Sequence, residues 1–379
     1  MMANHPHAEA EAELLDDPAP TPVVHYAEQA LLGALLLVPE RLKTIGPLEP
    51  EHFANTAHSA LFAAMCTVSP PGPEVHRTSP VWPNQLLAAA QPQARALTAA
   101  YLHLLISVCP VDAHAPAYAQ MVRSGHARRR LRQHAGFLAQ AARTPGPDPA
   151  GVVLARADQL AVYIDELATT FPSHSGSMPR TSPAPKPAAE ISTEAEDQER
   201  MLLATATAHP EELPRMRWLH ESDFTVPAHA AVFACLTTLA RRGAPVDPIT
   251  LLWEAQQRGL LHKGFGPAEF FDLVSHPAGT PEHWGRKILQ RALLSQAASV
   301  AARIEALTAD QATSVHQLAT GSRRALTAFS STRARWHQAT SDSVEKTPVP
   351  HATPSRTPSV RSPTARAGPA SLTPARPGR

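Results

Sequence analysis

The densest chemistry in this sequence is cationic. Arg123, Arg128, Arg129, Arg130, Arg132 and Arg143 fall in a stretch with no acid between Asp112 and Asp148. On a helix Arg128 and Arg132 share a face, with Arg129 beside them. Such a row can neutralise phosphates and release counterions, can be the solvated side of a helix, or can meet an acidic protein partner. Few aromatic residues sit nearby to stack bases, which weakens single-strand binding. The candidate nucleic-acid or partner contacts are therefore Arg123, Arg128, Arg129, Arg130 and Arg132.

Two further pairs, His58 with His229 and Glu28 with Glu199, recur at matching places of an internal repeat. One His per copy, without a second His or carboxylate at ligand spacing, reads as a packed or hydrogen-bonded residue, so no metal is expected. Each Glu falls near the first turn of a helix, where a carboxylate favours the dipole. No second group completes an acid–base pair, and no nucleophile is placed beside a base. A nucleoside triphosphate cradle needs G-x-x-x-x-G-K-[ST]. The Gly264-Phe265-Gly266 run lacks its Lys and hydroxyl. No catalytic residue and no cofactor are expected, and the chain reads as a non-enzyme.

The elements that would position these residues come in two copies. Aligning Glu28 with Glu199, a shift of 171, gives 14 identities over the 41 positions 28–68. Leu31/Leu202, Pro39/Pro210, Phe53/Phe224 and Phe62/Phe233 are among them. Copy 1 then carries six extra residues around Ser69-Pro-Pro-Gly-Pro73, and the register resumes at a shift of 165 with Pro80-Val81 against Pro245-Val246. Tyr118 to Val122 corresponds to Trp284 to Ile288. Repetition of this kind fixes the architecture before any single element does.

The period inside each copy is helical. Leu31, Leu32, Leu35 and Leu36 form one apolar stripe, stopped at Pro39 as its partner is at Pro210. Asn55 or Thr56 can cap the next helix. Each copy closes with a long helix, a turn and a second helix: about 115–143 and 151–171, then about 282–308 and 312–329. Val153, Ala157, Leu160, Ile164, Leu167 and Phe171 are spaced 4-3-4-3-4. This is a seam for helix pairing, carried chiefly by Leu160, Ile164, Leu167 and Phe171, either within its own hairpin or against another copy or chain. Val315, Leu318, Ser322, Ala325 and Phe329 make a weaker equivalent.

The chain has 379 residues, 43% of them hydrophobic, and a net charge of +1, so no global field points to nucleic acid or membrane. Its 39 prolines exceed what packed structure accommodates. They mark a Pro/Ser-rich linker at 172–189 and a tail at 331–379 whose basic end holds Arg356, Arg361, Arg366, Arg376 and Arg379. Neither stretch has the apolar content to offset its ordering entropy. Residues 1–22 read as an acidic, disordered arm, with Glu9, Glu11, Glu13, Asp16 and Asp17. The expectation is an all-α chain of two similar domains, 23–171 and 190–330, each a helical head plus a helical hairpin. Three scattered cysteines and no bilayer-length apolar run suit the cytoplasm.

The run Ala27-Glu-Gln-Ala-Leu-Leu-Gly-Ala-Leu-Leu-Leu-Val-Pro-Glu40 resembles the opening of the N-terminal domain of DnaB-type replicative DNA helicases. The resemblance continues through Leu48-Glu-Pro-Glu-His-Phe53, Ala57-His58 and Leu61-Phe62-Ala-Ala-Met65. In copy 2 it takes in Gly243-Ala-Pro-Val-Asp-Pro-Ile-Thr-Leu251, close to the family's G-x-P-V-D-x-x-T-L stretch, where copy 1 has Trp82 in place of the Asp. The resemblance implies a collar domain without catalytic residues, which pairs through its hairpins and docks primase and loading factors. Here two such domains stand without the ATPase, as a module associated with DNA replication and the primosome. Its implied partners are a replicative helicase, a primase or a second copy of itself. The alternative is a DNA-binding accessory protein using the arginine-rich helix and the basic tail.

Overall fold

In the computed structural model, residues 22–173, 192–262 and 264–344 are described. The acidic arm, nearly all of the linker and the tail beyond Val344 lie outside them. The described residues are all-α, with one isolated bridge between His262 and Phe265 in place of any sheet. No described helix is long and apolar enough to cross a membrane.

Copy 1 runs α1 (Val23–Leu37), α2 (Thr56–Thr67), α3 (Pro73–Thr78), α4 (Val81–Ala90), α5 (Ala99–Val108), α6 (Ala115–Arg143) and α7 (Pro149–Thr170). Copy 2 repeats the order with α8 (Thr193–Ala208), α9 (Pro227–Arg242), α10 (Pro248–Gln257), α11 (Pro267–Val274), α12 (Pro281–Ala309) and α13 (Val315–Val344). The helix without a counterpart, α3, falls in the region of the extra residues of copy 1. Proline and small caps punctuate the chain. Asn55 Oδ1 accepts from the amides of Ala57 (2.8 Å) and His58 (3.3 Å) at the start of α2. Pro149, Pro227, Pro248, Pro267 and Pro281 each open a helix, where a missing N–H costs nothing.

The G-x-P-V-D-x-x-T-L stretch is a stop-and-start signal. Gly243 ends α9 in the left-handed conformation, with φ 65°. Asp247 then caps α10, accepting from Ile249 N (2.8 Å) and Thr250 N (3.0 Å), while Thr250 Oγ1 accepts from Asp247 N (3.0 Å). In copy 1 the matching Trp82 gives up the cap and fills the core instead, its indole N–H donating to Val68 O at 3.2 Å.

Three apolar cores result. Head 1 buries Leu31, Leu35, Phe62, Trp82 and Leu105; head 2 buries Leu202, Trp218, Phe233, Phe270 and Ile288. In head 1, α1 and α5 approach so closely at Gly33 that a Cβ there would lie 2.1 Å from Leu105 O. The third core belongs to both copies: α6, α7, α12 and α13 bury Leu131, Ile164, Ile304 and Leu318 in one cluster. Between the copies, α6 packs along α12.

One boundary differs from expectation. The disordered tail expected from 331 begins instead with fourteen further helical residues, as α13 continues to Val344. The reason is tertiary. Arg335 grips the buried Asp223 of head 2 (Nη2–Oδ1 2.9 Å) and donates to Trp218 O at 3.0 Å, and Ala339 enters the head 2 core. Trp336 packs against both that core and the hairpin core.

Candidate functional site: the paired hairpins

The seam residues Leu160, Ile164, Leu167 and Phe171 all lie in the core shared by the two hairpins, each at most 8% exposed. The two readings of the seam are therefore not exclusive: it serves its own hairpin and the other copy at once. Between α7 and α13 the packing opens into a groove of about 290 Å³, with Ile164 and Leu326 in its walls. Ion pairs flank it, Arg323 with Asp165 (2.5 Å) and Arg333 with Asp158 (3.1 Å for the longer contact). At the weaker seam of copy 2, Ser322 is fully buried and its hydroxyl has no hydrogen-bond partner among the described residues.

The arginine row is distributed among different tasks. Arg128 reaches from α6 of copy 1 into copy 2 and donates to the carbonyls of Thr308 (3.0 Å), Asp310 (2.7 Å) and Thr313. It thus closes the end of α12, whose last carbonyls lack helical partners. Arg123 donates to Ile45 O (2.9 Å) and Pro47 O (3.1 Å), and Arg129 to His52 O (2.8 Å). Burial lowers the pKa of all three. The exposed members are Arg130, which lies 5.9 Å over the Tyr163 ring, Arg132 and Arg143. The row expected from sequence as one cationic surface is thus three backbone clamps and three exposed charges. Beside it, burial, His52 and Arg129 push His126 down to about 4, so its ring is neutral at pH 7, with Nδ1 2.9 Å from Glu51 O.

The recurring Glu–His pairs are buried staples. Glu28 accepts from Ala54 N (2.5 Å) and Asn55 N (3.3 Å) and meets His58 Nδ1 at 2.8 Å. Glu199 does the same with Thr225 N (2.6 Å), Val226 N (3.2 Å) and His229 Nδ1 (3.0 Å). Each carboxylate serves the N-terminus of the next long helix, not the first turn of its own, which corrects the dipole reading. In copy 2, Arg291 also binds Glu199. Burial alone would raise the Glu199 pKa; the bonds from His229 and Thr225, with the Arg291 charge and the Val226 amide, outweigh it and hold it below the usual range. In copy 1 the sequence reading left His58 without a second ligand, but the fold brings His25 to it, across from Glu28.

The family model described as the DnaB-like helicase N terminal domain matches residues 21–124 and 192–284, together just over half of the chain. The chain belongs to this family. The two matches cover both heads and stop early in α6 and α12, so the DnaB-like domain occurs twice, in register with the internal repeat. No curated protein and no solved structure matches significantly.

Proposed function

We propose that the chain is a non-catalytic adaptor of DNA replication that binds a replicative helicase or a primase. The observation that carries this reading is the shared hairpin core, in which two DnaB-like domains of one chain bury their seams against each other. In the helicases such domains pair between subunits to build a collar. Here one chain holds a ready-made pair, and its outer faces remain to engage collar or primase surfaces. This reading places the protein in the cytoplasm, within or beside the primosome.

Nucleic-acid binding through the arginine row draws less support, because Arg123, Arg128 and Arg129 are engaged with backbone carbonyls. Arg130, Arg132 and Arg143 of that row are exposed to reach phosphate.

Co-purification of the full chain with the helicase and primase of its own cell, in low salt, tests the proposal. A stable complex with either, without ATP turnover by the chain itself, is expected. Failure to bind either one, or ATP hydrolysis by the purified chain, overturns it. A shift assay over a salt series separates the DNA-binding alternative, for which the log of affinity falls steeply with the log of salt.

A further inference from the structure

The two copies solve one electrostatic problem differently. Both bury a Glu–His pair, and in copy 2 the fixed cation beside it is Arg291. At the register linking Tyr118 with Trp284, the place of Arg291 in copy 1 is taken by Gly125, and the space over Gly125 is filled by Val24. Arg129, the neighbouring cation that feels the Glu28 charge, donates to His52 O. What copy 1 has instead is His25, where copy 2 has Glu196.

His25 and Glu28 stand three residues apart on α1, and His58 faces them from α2. One ligand atom of each lies within 4.8 Å of the others. Glu28 and His58 are fully buried, whereas His25 is half-buried and gives the cluster a way to solvent. The orientation of His58 is set from behind: its Nε2 lies 2.7 Å from Tyr101 Oη, which also accepts from Gln29 Nε2 at 3.4 Å. An outer oxygen holding the second ring nitrogen is the usual support of a metal-ligating histidine. No such tyrosine contact is made by His229 in copy 2, where Gly266 occupies the place of Tyr101 at the 165 shift.

We propose that His25, Glu28 and His58 bind one divalent ion of the zinc class, with a fourth position open to water. Ligand atoms around such an ion stand about 3.3 Å apart at bond lengths of 2.0–2.1 Å. Glu28 Oε2 and His58 Nδ1, at 2.8 Å, are already near that spacing, and turning the half-buried His25 ring closes the set. Glu28 Oε1 stays on the Ala54 amide. Binding takes the Nδ1 lone pair of His58 and leaves the ring proton on Nε2, facing Tyr101 Oη; because protons compete for the same lone pairs, affinity falls as the imidazoles protonate. The ion sets beside Glu28 the positive charge that Arg291 of α12 sets beside Glu199, and through His58 it ties α1 to α2.

Calorimetric titration of the metal-stripped full chain with zinc chloride tests this, against His25→Ala and His25→Gln. The chain has 20 histidines and three cysteines, so the readout is the equivalent that disappears with His25. Wild type is expected to bind one equivalent, with a Kd of about 10 µM or tighter, that both variants lack. Zinc should raise the melting temperature of wild type and leave theirs unchanged. Cobalt added to wild type should give a nitrogen/oxygen spectrum without a thiolate charge-transfer band for that equivalent. Because His25 is half-buried, circular dichroism should show both variants folded. Equal stoichiometry and affinity in the variants, or no binding by wild type at about 100 µM zinc, overturns the proposal.

Discussion

At the scale of single residues, the chain is organised by buried polar groups that reach across loops. Glu199 is fully buried and bound to two amides, His229 and Arg291. Removing it strands all four partners, so Glu199→Ala should cost about 3–5 kcal/mol in urea unfolding. Its lowered pKa sets the sign of one pH effect. The unfolded chain takes up that proton first as pH falls, so the contribution of Glu199 is complete above the ordinary carboxylate pKa. It is lost as pH drops through the depressed folded value; the acid limb of stability against pH should therefore flatten in Glu199→Gln. Ser322 presents the opposite case. Its hydroxyl is buried at a seam position without a partner among the described residues, which penalises the folded state. Ser322→Ala should raise stability by about 1 kcal/mol in the same assay, and a loss of stability would show that the hydroxyl has a use.

At the scale of elements, local pattern and tertiary context divide the work. The bounds of α6 follow from sequence, because His114-Ala115-Pro116 opens it and Thr144-Pro145 closes it around an apolar stripe. The repeat was equally legible, since Glu28/Glu199 and His58/His229 match in type and place. What those pairs hold was not, because their partner amides sit 26 and 27 residues further along the chain. His25 was missed because it does not recur; Glu196 stands in its place. The end of α13 was missed for a related reason. Residues 331–344 are rich in Ser, Thr and Arg, a composition that locally suits a tail, and only head 2 supplies the pocket for Ala339 and the carboxylate for Arg335. This has a consequence for truncation. A chain ending at 330 leaves Asp223 buried without its arginine and should be about 3–5 kcal/mol less stable than one ending at 344. Urea unfolding of the two, followed by far-ultraviolet circular dichroism, checks it. Equal midpoints would mean that residues 331–344 contribute nothing to that head.

At the scale of the molecule, the question is what keeps the two copies together. A tether alone would let them part and meet; a shared core makes them one folding unit. The described structure has the second character. The cluster containing Ile164 and Ile304 draws apolar residues from all four hairpin helices. Arg128 of copy 1 also closes the turn between α12 and α13 of copy 2. Interfaces that resemble a domain core cut in two are those of permanent complexes, whereas exposed ion pairs such as Arg323–Asp165 add little. Introducing a protease site between residues 174 and 191 of the full chain therefore distinguishes tether from core. After cleavage, wild-type halves should co-elute in size-exclusion chromatography at about 1 µM, a concentration at which the millimolar advantage of a linker no longer operates. Ile304→Asp, which buries a charge in the shared core, should let the cleaved halves separate while the uncleaved chain stays in one piece. Wild-type halves that part on cleavage would show that the linker, not the paired hairpins, holds the copies together. The ready-made collar pair on which the adaptor proposal rests would then not exist in solution.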